Sequence, residues 1–304
     1  DHADGTAHMA PHPDGPVDTV VRVLCVTAAE TGARLGVLFV HGCHAVVLHR
    51  STRMVSSDWP GRAAEYLKTK LGRHVCTVFA QGCGGDANSA VLNGTFADRD
   101  RLGVLAGRAA LEAVERAEPV AAAGLAAALT VLPLPVRQPT PAEATAALAA
   151  EQARFDHQRQ ANAPAETLAE VREAGVGWAR DLCRIASGES RERLDLDISA
   201  LAFGNALGIV GLGAEAFHAY DGICRHLSPW SRTLVLAYVN GATCYLPNAA
   251  EFARRGYETA GADYTDTGNY AFKRYGTLAL TPDCEEAVRH GVAAALAQLR
   301  PPPP

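Results

Sequence analysis

Aromatic residues make up only 6% of this 304-residue chain. The sequence therefore offers little material for the deep acyl groove that a long-chain lipid substrate needs. No apolar run approaches the roughly 18–20 residues that a membrane helix requires, which leaves lipid as a substrate but not as a solvent. Basic residues are fewer than acidic ones, 28 against 33, for a net charge of −5, so no basic surface points to nucleic acid or an anionic membrane. The phosphate loops GxGxxG and GxxxxGK are missing, and so is the GxSxG elbow of serine hydrolases. None of the eight cysteines pairs with another at the two-residue spacing of a zinc knuckle or a redox motif. That pattern predicts reduced core thiols in a cytoplasmic protein, with secretion as the alternative if a signal and an N-terminal segment have been removed. The chain opens Asp1-His2-Ala3-Asp4-Gly5 without a methionine, a basic region or an apolar region, as a trimmed or processed start does.

What is present is an ordinary globular composition, 48% hydrophobic and 20% charged, enough for one large domain with a substantial core. Residues 18–27 alternate and are rich in β-branched side chains, and 36–40 reads as their hairpin partner across Thr31-Gly32-Ala33. A helix follows from Trp59-Pro60-Gly61, with Asp58 as its expected N-cap, then a strand over 74–80. Residues 97–117 carry a helical stripe of Val104, Leu105, Ala109, Leu111 and Val114. Strand returns over 125–136. The Ala-, Glu- and Arg-rich stretch 141–187 reads as a helical insert of two helices broken near Asn162-Ala163-Pro164. Residues 194–203 and 206–210 form a second hairpin pair, and helix 215–227, strand 233–239 and a long loop 240–275 follow. A last helix over 282–299 has Thr281 as its expected cap, and 301–304 forms a disordered proline tail. The interleaving lacks a βαβ rhythm. It predicts an α/β (α+β) fold of mixed, largely antiparallel sheets flanked by helices.

Four features can carry chemistry. In the apolar run 37–48, His41 and His44 interrupt a strand that wants continuous aliphatic residues. A histidine where such a strand ends is either hydrogen-bonded in the core or bound to something. The loop Gly84-Gly85-Asp86-Ala87-Asn88 closes the next strand, as a binding rim or as a plain turn. Gly211-Leu212-Gly213-Ala214-Glu215 ends a third strand with a carboxylate at an expected helix start, which the helix dipole alone would also favour. The last feature is Tyr245, five residues past Asn240, followed by Gly256-Tyr257-Glu258. All four lie at expected strand ends, where the loops of one sheet edge would converge. A histidine, a carboxylate and a phenol suit a hard-to-borderline divalent metal, most plausibly Zn²⁺, and such a site hydrolyses amides or esters.

The run from Val37 to Asn88, with Glu215, Tyr245 and Tyr257 following in order, resembles the catalytic domain of the neutral/alkaline ceramidase family. The resemblance covers roughly residues 17–298 and implies one catalytic domain over 1–304, the C-terminal part of a larger one. It implies zinc held by His44, Glu215 and Tyr245, with Tyr257 polarising the scissile carbonyl of an N-acyl substrate, small-molecule or lipid-like. Asp86 falls in the family's acidic loop. Asn88 stands where the family carries a serine with a catalytic role, which favours attack by metal-activated water, with Asn88 orienting substrate. The family's second zinc histidine lies upstream of the matching region. Its counterpart comes from a separate N-terminal fragment, from His218 (one helix face with Glu215), from His41, or from nowhere. Competing readings are a catalytically inactive relative that binds a ligand or partner, an esterase or acyl-transfer enzyme of specialised metabolism, and a metal-independent hydrolase using Ser89 or Cys83.

Overall fold

The first strands form as the alternation predicts. In a computed structural model, β1 (Arg22–Thr27) pairs antiparallel with β2 (Arg34–His41), and the turn between them closes through Gly32, whose φ of 68° suits glycine. The structure describes residues 12, 14–120, 124–189, 193–259, 264 and 270–299. The expectations for the chain start and for the tail 301–304 lie outside the described residues. The chain divides into two compact units, Asp1–Pro119 and Val120–Pro304.

In the first unit α1 (Asp58–Leu71) carries the chain from β2 to β3 (Cys76–Gln81), which lies parallel to β2. The helix α2 (Phe96–Glu115) starts on a capping box made by Thr95 and Asp98 and packs on α1. Its buried face is Gly103, Gly107, Ala110 and Val114, and Leu105 of the expected stripe is 62% exposed. The reason is close approach. A Cβ at Gly103 would stand 2.5 Å from the Cβ of Arg62, so small residues rather than large ones define this interface. Phe39, Trp59, Ala63, Leu67 and Ala110 fill the space between sheet and helices, each large side chain contributing roughly 1.5–3 kcal/mol by burial.

In the second unit the strand order is β4 (Leu125–Pro133), β5 (Asp195–Phe203), β6 (Leu207–Leu212), β8 (Arg232–Leu236). The first two pairings are antiparallel and the last is parallel, with α6 (Ala219–Leu227) as crossover. This is the mixed, mostly antiparallel architecture with flanking helices that the sequence predicts. The helix α8 (Cys284–Ala297) covers β4 and β5, so closely at Gly291 that a Cβ there would meet Ile198 at 2.7 Å. Its N-cap is Asp283, not Thr281, because the Thr281 carbonyl accepts from Cys284 N–H and closes a turn ahead of the helix.

The stretch 141–187 is helical as expected. It comprises α3 (Pro141–Gln160), a turn with Asn162 at φ 52°, then α4 (Ala165–Glu170), a π-helical stretch Val171–Gly177, and α5 (Trp178–Ala186) in one run. Ala144, Ala147, Trp178, Leu182, Tyr264 and Phe272 belong to its core. No helix among the described residues is long and apolar enough to cross a membrane.

Candidate functional site

In the first unit, β2 and β3 end side by side, with His41 opposite Gln81, and both empty into glycine loops. Those loops lie backbone on backbone. A Cβ at Gly42 would stand 2.2 Å from the Cys83 carbonyl oxygen, and one at Gly84 would stand 2.4 Å from the carbonyl carbon of Gly42. The packing brings half-buried His44 onto the second loop, where its N–H donates to Ala87 O at 2.9 Å and its Nε2 lies 3.2 Å from Gly85 O. A carbonyl only accepts, so Nε2 carries a proton in this contact and donates it to Gly85 O. That is how metal-binding histidines are oriented elsewhere.

The His44 carbonyl is held by two structural bonds. It accepts from Trp59 Nε1 at 3.1 Å and from Ser89 Oγ at 2.9 Å. The Ser89 hydroxyl thus anchors the His44 backbone, and Cys83 is 2% exposed, which argues against either as a nucleophile. Asp86 and Asn88 are exposed and flank Ala87, the residue that holds His44. Asp58 is not the N-cap of α1, a place taken by Ser57. Its buried carboxylate instead accepts from the N–H groups of Val47, Leu48 and Trp59 at 2.7–3.2 Å and so fixes the loop after His44. His41 is occupied at the core edge, with Nδ1 3.2 Å from Val20 O and its ring edge-on to Trp59.

The second unit builds its site around Glu215, which is 9% exposed. Glu215 is not at a helix start. It forms the two-residue strand β7 (Glu215–Ala216), parallel to β9 (Tyr245–Leu246), with Glu215 and Tyr245 as register partners. The Glu215 N–H donates to Cys244 O at 2.9 Å, a partner that no local helix could offer. The helix α6 begins only at Ala219 with His218 as its N-cap. Glu215 and His218 therefore do not share a helix face, and the geometry that made His218 a ligand candidate is not formed. Gly211 and Gly213 let the connection from β8 to β9 lie against β6, since a Cβ at Gly213 would meet Val239 O at 3.0 Å.

Three phenols close on the Glu215 carboxylate. Tyr238 donates to Oε2 at 2.6 Å, Tyr275 of α7 (Ala271–Tyr275) donates to Oε1, and Tyr245 hydrogen-bonds the same group. Burial first, and the neighbouring Glu215 second, push Tyr238 and Tyr245 above the ordinary phenol range. Tyr275 is raised by burial and by its bond to Glu215. All three therefore stay protonated and act as donors near neutral pH. Tyr238 does so from a left-handed backbone (φ 60°), a conformation that costs a bulky residue energy and recurs at functional sites. Tyr257 sits edge-on to Tyr245 at 5.9 Å, and burial raises its phenol as well. A cleft beside these rings is lined by Tyr245, Glu258, Thr259, Tyr275 and Thr277.

Of the residues expected to act, Glu215, Tyr245 and Tyr257 come together in the second unit, and His44, Asp86 and Asn88 share one loop pair in the first. Tyr238 and Tyr275 were not foreseen. Their signal was crowding, since seven of the eight tyrosines lie between 220 and 275. As a zinc site, carboxylate and phenol supply two oxygen donors of suitable chemistry. They do not complete a ligand set, because among the described residues no group of three or more His, Cys, Asp or Glu gathers. What the second unit brings together among its described residues is a carboxylate and phenols, oxygen donors short of a full ligand set.

No protein-family model and no curated protein matches this chain. Solved structures do. The neutral ceramidase from Pseudomonas aeruginosa superposes with a TM-score of 0.58 at 15% identity, over 92% of this chain and 47% of that one. A structure described as ceramidase complexed with C2 gives 0.59 at 15% identity, over 91% and 47%. The chain spans about half the length of these neighbours, and what it shares with them is the fold: this is a ceramidase-like fold.

Proposed function

We propose that the chain is a zinc-dependent hydrolase cleaving the amide bond of an N-acyl substrate. The observation that supports this reading is the pairing of Glu215 with Tyr245, two residues thirty positions apart that meet as register partners at the centre of a ring of phenols. Glu215 and Tyr245 are the proposed ligands in the second unit. Zinc, when bound, supplies a Lewis acid that polarises a carbonyl and acidifies water. The chain's own residues hold and orient. Tyr257 keeps its proton and donates to the substrate carbonyl oxygen, while Tyr238 and Tyr275 hold the Glu215 carboxylate from both oxygens. In the first unit, Asp86 and Asn88 are the exposed polar side chains of the loop after β3, and a role for them in catalysis is proposed on the resemblance alone. His41 is spent on Val20 and Trp59, and His218 sits at a helix start, so a separate chain segment is the proposed source of a further histidine.

The test is Tyr257→Phe against a panel of N-acyl amides and matching esters. Loss of one oxyanion donor lowers kcat by roughly 10²–10³ with bound zinc unchanged. An undiminished kcat would remove Tyr257 from the mechanism, and a parent protein that cleaves only esters would remove the amidase reading.

One observation favours a second reading. Both Glu215 oxygens already accept from phenols, so the carboxylate is satisfied without a cation, as in an inactive protein that binds a ligand through the same cleft. Zinc content separates the two.

A further inference from the structure

The helical stretch 141–187 buries an ion pair that the hydrolase reading does not use. On α3 the buried face runs Ala144, Ala147, Glu151, which puts a carboxylate where a core side chain belongs. Glu151 accepts from Lys273 Nζ at 2.9 Å, and the two side chains are 1% and 4% exposed. The ammonium also lies 5.1 Å from the centre of the Trp178 ring and 5.6 Å from that of Tyr270. Room for the carboxylate comes from Gly175 in the π-helical turn, where a Cβ would stand 2.5 Å from Glu151 Oε2. A π-helical turn and a glycine thus accommodate the carboxylate, whose other oxygen also meets Arg154 at 3.3 Å, and an aromatic pair flanks the lysine.

Buried ion pairs roughly break even in stability, so stability alone does not account for this arrangement; fixing one arrangement among several is the better-attested use. Lys273 belongs to α7, a five-residue helix too short to hold its own orientation. Residues two apart on a helix point to nearly opposite sides, so while Lys273 faces Glu151, Tyr275 faces away from it and reaches Glu215. Locking one fixes the rotation of the helix and the aim of the other. Trp178 adds a second hold, donating from Nε1 to Thr277 O at 3.0 Å just past the helix.

We propose that the buried Glu151–Lys273 pair is a positioning device that sets the rotation of α7 and thereby delivers Tyr275 to Glu215. The stretch 141–187 then supports the site. The proposal deepens the hydrolase reading at the same site, but its readout needs neither metal nor turnover, so each can fail without the other.

The experiment uses the full chain labelled with 3-fluorotyrosine, its fluorine resonances for Tyr275 and Tyr238 assigned by their loss in Tyr275→Phe and Tyr238→Phe. The double variant Glu151→Leu/Lys273→Met replaces the pair with apolar groups of similar volume, and Glu151→Gln removes the charge while keeping the shape. In both variants the Tyr275 resonance moves toward its position in the urea-unfolded chain, and the Tyr238 resonance, which reaches Glu215 from the β8–β9 connection, stays within a linewidth. An unmoved Tyr275 resonance overturns the proposal. So does equal movement of both, which marks general loosening, or loss of folding in both variants, which marks the pair as a stability element alone.

Discussion

Tyr238→Phe removes one oxygen and tests whether Glu215 is held by phenols. The hydroxyl donates at 2.6 Å to a carboxylate that is 9% exposed, a bond to a charged group. Such bonds contribute roughly 1.5–3 kcal/mol net, and the ring and its left-handed backbone remain, so the variant should lose about 2 kcal/mol. For a unit of this size that lowers Tm by about 4–8 °C. The assay is urea and thermal unfolding of chelator-treated protein, followed by near-ultraviolet tyrosine dichroism. Seven of the eight tyrosines lie between 220 and 275, so that signal reports on the second unit. In a Glu215→Leu background the same substitution should cost almost nothing, because the hydroxyl has lost its acceptor. An equal cost in both backgrounds, or none in the parent, would refute the reasoning.

The first unit offers two further tests by urea denaturation. Asp58→Ala strips the acceptor from three backbone N–H groups and should cost about 3 kcal/mol, where a simple N-cap would cost about 1. Gly84→Ala drives a Cβ to within 2.4 Å of the Gly42 backbone, which has no flexible end to yield, and should cost about 3 kcal/mol. A loss below about 1 kcal/mol in either variant would show that the two loops do not depend on that residue.

The strands and long helices were legible because each carries its own period. The alternation around Val37 and Phe39, and the helix formers of 141–187, point to one answer over many residues. That the features end strands was legible too, since His44 and Glu215 each interrupt an apolar run, but those strands belong to two different sheets and not to one sheet edge as expected. What could not be read was anything defined by a distant partner. Glu215 reads as the start of a helix because helix formers follow it, yet its N–H belongs to Cys244, and a two-residue strand has no period to detect. Tyr238 and Tyr275 matter only through Glu215. Glu151 looks like the solvated face of an Ala-rich helix until Lys273, far along the chain, is placed against it. The buried stripe of α2 was misread for a related reason. Gly103 and Gly107 carry no hydrophobic signal, yet they mark where α1 comes closest.

The most direct test of the central claim is the zinc content of the purified chain after loading and exhaustive dialysis, beside Glu215→Gln and Tyr245→Phe. The account predicts near-stoichiometric zinc in the parent, loss in Glu215→Gln and weakened retention in Tyr245→Phe. A parent that retains no zinc, or a Glu215→Gln variant that retains as much as the parent, would contradict it.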